Sequence, residues 1–138
     1  MNFRPLALAC ALLLPALPAW ADPLISLDHG GVWQTLKPGQ NTQGFLQIHN
    51  TGDAPDTLTG ADCTIADSTT LVDAKGNPLP GLEIPPGRTV VLSSDGPHLL
   101  IEGARYRVQK NGILPCSINF AQSGDLIGYL NVIAAPKT

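Results

Sequence analysis

No window of a dozen residues after Asp22 keeps apolar side chains at i, i+3 and i+4 without a Gly or Pro interrupting it. Pro lacks the N–H that a helix interior needs, and an interior Gly costs about 1 kcal/mol relative to Ala. With 14 Gly and 13 Pro spread along 138 residues, helices of ordinary length have nowhere to form. What remains is a series of short β-like runs divided by turn residues. The predicted strands are Leu24–Asp28, Val32–Leu36, Gln43–His49, Thr57–Thr64, Thr69–Asp73, Arg88–Ser93, His98–Glu102, Ile113–Phe120 and Leu126–Ala134. His29-Gly30-Gly31, Asn50 to Asp56 and Ser93 to Pro97 read as turns, and Tyr106–Asn111 as a polar connection. In Gln43–His49 the pattern is read as Phe45 set against polar Gln47 and His49. Strands at roughly ten-residue spacing imply an antiparallel sandwich or Greek-key barrel.

The first 21 residues are read apart from the fold. Arg4 precedes an apolar run, Leu6 to Leu17, and Ala19-Trp20-Ala21 supplies an A-x-A site, which together predict a secretory signal peptide cut after Ala21. The run is short and broken by Pro15 and Pro18, against a membrane-spanning helix. Cys10 lies inside it rather than after it, against lipidation there. Residues 22–138 then form one domain in the periplasm. Losing Arg4 moves the formal charge one unit below the −3 of the full chain. An acidic surface with no basic cluster argues against nucleic acid or an anionic membrane as partner.

Cys63 and Cys116 are the two cysteines left in that domain. In an oxidising compartment the pair predicts a structural disulfide. The second reading is a pair of thiolates that binds a soft metal; with no C-x-x-C, a thioredoxin-like motif is absent. Within Ile113–Phe120, Leu114, Cys116, Ile118 and Phe120 share one face, so Cys116 is expected to point inward. Enzyme readings find no support: there is no nucleophile elbow, phosphate-binding loop or H-E-x-x-H. Asp95 near His98 is better read as a turn cap than as half of an acid–base pair.

Several segments together resemble one family. Val32-Trp33, the run from Gly44 through Asn50-Thr-Gly-Asp-Ala-Pro-Asp56 to Ala61, Leu82-Glu-Ile-Pro-Pro-Gly87, the strand at His98, and Asn119-Phe120 with its Gly124 hairpin are similar, in order and spacing, to the PCu(A)C periplasmic copper chaperones. The resemblance implies an all-β, cupredoxin-like antiparallel Greek-key β-sandwich. It also implies Cu(I) as cargo, delivered toward a cytochrome oxidase copper centre, and a copper-receiving periplasmic or membrane-anchored partner. Family members hold Cu(I) through His and Met, because the soft ion prefers thioether and imidazole to carboxylate. The family's His-x-Met reads His98-Leu99-Leu100 here; an earlier family histidine falls near Val72, and Ala74–Gly81 carries no Met. The single methionine is Met1. His98 is therefore the one family ligand retained, and Cys63 or Cys116, if reduced, would be the donors able to replace the lost thioethers. His29 reads as a turn residue and His49 as solvent-facing, with nothing placing the three histidines together. The rival reading is a non-metal β-sandwich module for binding or assembly, held by the Cys63–Cys116 bridge.

Overall fold

The computed structural model describes residues 21–136; the predicted signal peptide up to Trp20, with Cys10, lies outside them. Nine strands form among the described residues, and no helix. They are β1 (Ile25–Trp33), β2 (Thr42–Asn50), β3 (Asp56–Asp62), β4 (Ser68–Val72), β5 (Leu82–Ile84), β6 (Thr89–Val91), β7 (His98–Glu102), β8 (Ile113–Phe120) and β9 (Gly124–Ile133). They join in the order β4-β7-β2-β1-β9-β8-β3-β5, with β6 also paired to β2. The sheet curls until β3 and β4 pack together, giving the cupredoxin-like all-β sandwich.

Alternation builds the core. In β2, Leu46 and Ile48 point inward, as do Leu99 and Ile101 in β7, Leu114, Cys116 and Ile118 in β8, and Leu130 and Val132 in β9. Phe45 lies on the outer face with Gln47 and His49, not against them; the inward residues of β2 are the even-numbered ones. The Cys63 and Cys116 sulfurs are bonded at 2.08 Å, and both residues are buried in the core.

Two elements differ from the expected ones. The predicted break at His29-Gly30-Gly31 is a bulge inside one strand. The β1–β2 register shifts between Asp28 and Gly31, and His29 takes φ 51. Past the bulge β1 also pairs with β9, in parallel, through Gly31 to Trp33. Every other strand pair is antiparallel. Gly30 is required at this junction, because a Cβ there would lie 2.2 Å from the Tyr129 carbonyl oxygen. The other difference is β5, three residues between Pro80 and Pro85 that pair with β3.

The Asn50–Asp56 segment is a lock built from side chains. Asn50 is 1% exposed. Its Oδ1 accepts from the Leu24 and Gly52 N–H groups, and its Nδ2 donates to the Ala54 and Ile84 carbonyls. Asp56, also buried, accepts from the backbone N–H groups of Thr57, Gln122 and Ser123 and from the Ser123 hydroxyl. Burial pushes the Asp56 carboxyl up; the hydrogen bonds from Ser123, Gln122 and Thr57 more than offset it and leave it below its usual range.

Candidate functional site

His98 opens β7, immediately after the Ser93–Pro97 turn. That turn is closed by Ser93 N–H to the Pro97 carbonyl and by the Ser93 hydroxyl to Asp95 Oδ1. Asp95 therefore serves the turn. The His98 Nδ1 donates to the Gly96 carbonyl at 2.9 Å, which fixes the ring; in a neutral imidazole the lone pair then belongs to Nε2. The residue is 3% exposed. Because its neighbour Leu99 enters the core, His98 occupies the outer face of the sheet. Phe45 tilts against it with ring centroids 6.4 Å apart, and Trp33 packs edge-on to Phe45 at 5.3 Å.

The register brings the expected ligand positions together. Val72 pairs with His98 and Thr70 with Leu100, so Val72, His98 and Leu100 are neighbours on one outer surface. Val72 is buried there, bridged to Pro78, and stands outside the central core cluster. The loop beyond it is closed by Asp73, whose Oδ1 accepts from the Lys75 and Asn77 N–H groups. Hydrogen bonds from Asn77, then Lys75, hold its carboxyl below the usual range against a smaller desolvation effect. On the neighbouring strand Gln43 pairs with Leu100, and its Oε1 is buried without a partner. The two cysteine sulfurs are not part of this surface. They are joined to each other inside the core, which His98 faces away from.

A second cluster brings together two histidines that the sequence left apart. Asp28 Oδ1 lies 2.8 Å from His29 Nδ1 and 2.8 Å from His49 Nε2, and His49 Nδ1 lies 2.7 Å from Thr89 Oγ1. Across the sheet this is a row, Asp28 on β1, His49 on β2 and Thr89 on β6. Ser26 and Thr89 are the direct partners of His49, and Asp28 is its diagonal neighbour. The hydrogen bonds from His29, and next those from His49, hold the Asp28 carboxyl below its usual range. Among the described residues no three His, Cys, Asp or Glu side chains stand ready-made around one point; here both rings turn to the carboxylate oxygen.

The sequence profile of the LpqE-like lipoproteins matches residues 25–129, from the first strand into the last. The chain belongs to the LpqE-like family. No curated protein matches it. Among solved structures, the LpqE-like chain is similar to the copper-bound PCuAC domain from PmoF2, at 19% identity and TM-score 0.72, over 80% of this chain and 93% of that one. The apo PCuAC domain from PmoF1 aligns at 20% identity and TM-score 0.73, over 80% and 94%. CuI-DR1885 from Deinococcus radiodurans aligns at 22% identity and TM-score 0.62, over 83% and 80%. At these identities the similarity carries the fold, and it agrees with the PCu(A)C resemblance of the sequence.

The site residues missed by sequence reasoning in the LpqE-like chain are Asp28 and Thr89. Their grouping with His49 depends on the β1–β2 and β2–β6 registers. The one local signal was Asp28-His29 ahead of Gly30-Gly31, a pattern a bulge uses as readily as a turn.

Proposed function

We propose that this LpqE-like protein is a non-enzymatic, exported copper-handling protein of the copper-chaperone fold. It acts on the route that brings Cu(I) to a cytochrome oxidase copper centre, and its own donor set is reduced to His98. Residues 22–138 form its working domain, released by cleavage after Ala21, and the periplasm is its compartment. The observation that carries this reading is the adjacency of Val72, His98 and Leu100 on one outer surface. On this reading three of the family's ligand positions lie side by side, and two of them, Val72 and Leu100, are aliphatic.

A single imidazole is too few donors for tight Cu(I) binding, since soft-metal sites gain affinity from several convergent ligands. His98 Nε2 therefore contributes one ligand to an ion whose remaining donors come from a copper-receiving partner, periplasmic or membrane-anchored. The family's description as lipoproteins and the disulfide both support an exported setting.

The test is Cu(I) titration against a competing chelator with the disulfide intact, in wild type, Leu100→Met with Val72→His, and the same pair with His98→Ala. Weak binding by wild type, at least about tenfold tightening in the double variant and its loss with His98→Ala are expected, since restored soft donors raise affinity. No tightening would remove the inherited site and favour the non-metal module. A Cu(I) site that appears only on reducing Cys63–Cys116 would instead assign the donors to the thiolates.

A further inference from the structure

We propose that Asp28, His29 and His49 form a second metal site, on the outer face of the β1–β2–β6 row, for a borderline divalent cation, Cu(II) ahead of Zn(II). It shares no residue with the His98 surface.

The β1 bulge supplies the geometry. Adjacent residues of a regular strand point to opposite faces; the register shift and the left-handed φ of His29 turn its ring onto the Asp28 carboxylate instead. His49 arrives from the next strand, so two imidazoles flank one carboxylate, each nitrogen 2.8 Å from Oδ1. Ligands bound to one ion at about 2.0–2.1 Å stand about 2.8–3.3 Å apart, so the present spacing is that of neighbouring ligands. Two hollows open on the group, one bordered by His29 and Tyr129, the other by His49, Thr89 and Arg88. His29 is 70% exposed, and its ring is free to turn from the carboxylate toward a shared centre.

The surroundings of His49 fit a ligand. A metal-bound histidine needs a partner for its other ring nitrogen, which sets tautomer and orientation. Thr89 Oγ1 stands 2.7 Å from Nδ1. In the metal-free cluster the ionised Asp28 accepts, so His49 Nε2–H donates to it and the Thr89 hydroxyl donates to Nδ1. On metal binding the His49 proton passes through solvent from Nε2 to Nδ1, where Thr89 accepts it, and Nε2 offers its lone pair to the ion. His29 makes the matching change from Nδ1–H to Nε2–H. Neither ring loses a proton overall. Imidazole with carboxylate suits Cu(II) and Zn(II) better than Cu(I), and the Irving–Williams order places Cu(II) first. Arg88 beside His49 lowers the affinity and leaves the site open to exchange.

The experiment titrates the oxidised mature protein with Cu(II) supplied as its glycine complex, and separately with Zn(II), by calorimetry and, for Cu(II), by EPR. The variants are His29→Asn, chosen because Asn tolerates a left-handed φ, His49→Gln, Thr89→Val and His98→Ala, each with its melting temperature measured. Wild type is expected to take up one equivalent with two imidazole nitrogens in the spectrum. His29→Asn and His49→Gln lose affinity by at least the about 10–100-fold typical of outer-shell changes, Thr89→Val loses less, and His98→Ala is unchanged. Absence of stoichiometric uptake, or uptake that survives in the His29→Asn, His49→Gln double variant at normal melting temperature, overturns the proposal. Because His98→Ala is silent here and decisive for Cu(I), failure of either reading is separable from failure of the other.

Discussion

Asp56 and Asp28 are two carboxylates in different settings that both sit below their usual pKa. Asp56 is buried and held by three backbone N–H groups and the Ser123 hydroxyl, at the opposite end of β3 from the Cys63–Cys116 bond. Its donors are peptide groups and one serine hydroxyl, none with an imidazole's metal-binding chemistry, so the arrangement ties the β8–β9 hairpin to the start of β3. Asp28 is half exposed, and its donors are imidazoles, whose ring nitrogens can offer a lone pair to a metal once the N–H moves to the other nitrogen. A low carboxylate pKa thus marks a rivet in one region and a candidate site in the other. What separates them is the identity of the donor.

The sharpest way to break that contrast begins on the purely structural side, with the bridge at the far end of β3. Cys116→Ser should cost about 2–4 kcal/mol, read from a denaturant midpoint, because it frees the unfolded chain and leaves a hydroxyl in the core. A midpoint equal to wild type would mean the bridge does not hold the fold. Asp56→Asn should follow, at about 2–3 kcal/mol near neutral pH, the range for hydrogen bonds to a charged group that lose their acceptor charge. Its sign with pH sharpens the case. The folded-state pKa lies below the unfolded value of about 3.9, so the carboxylate's contribution is whole above that value. It drains as pH falls through the folded pKa. Calorimetry should therefore show wild type and Asp56→Asn converging in strong acid; a gap that stays constant would assign the loss to packing.

Gly30→Ala comes next. A Cβ 2.2 Å from a backbone oxygen forces β1 and β9 apart, with an expected cost of about 1–3 kcal/mol, as for other overpacked sites. Proton NMR should place the largest shift changes at Gly31 to Trp33 and Asn131 to Ile133. Smallest is Asp28→Asn, whose melting temperature should match wild type because exposed pairs contribute little. Its effect should appear instead in the His29 and His49 ring resonances. A large drop in melting temperature would make Asp28 a second rivet.

Much of the scaffold was legible because its signals are local. His98–Glu102 and Ile113–Phe120 are bounded by turn residues and match β7 and β8 at both ends. The inward Cys116 follows from simple alternation. The bulged β1 was hidden because Gly30-Gly31 is read as a break when nothing reveals the Tyr129 carbonyl that the glycine accommodates. β5 escaped because three residues between prolines carry no periodicity. Of the candidate sites, the resemblance located His98 and its aliphatic neighbours. The Asp28 row stayed invisible, since a cross-strand cluster exists only once two registers, β1–β2 and β2–β6, are fixed.

The parallel seam between β1 and β9 has a consequence for the order of events in time. The earliest strand finds one of its two neighbours only in the last, so the barrel-like wall stays unzipped while the hundred or so residues between them emerge. Closure across so long a span is slow. A chain threaded through a membrane from its front end would keep this flank open for capture by chaperones until its final strand had crossed.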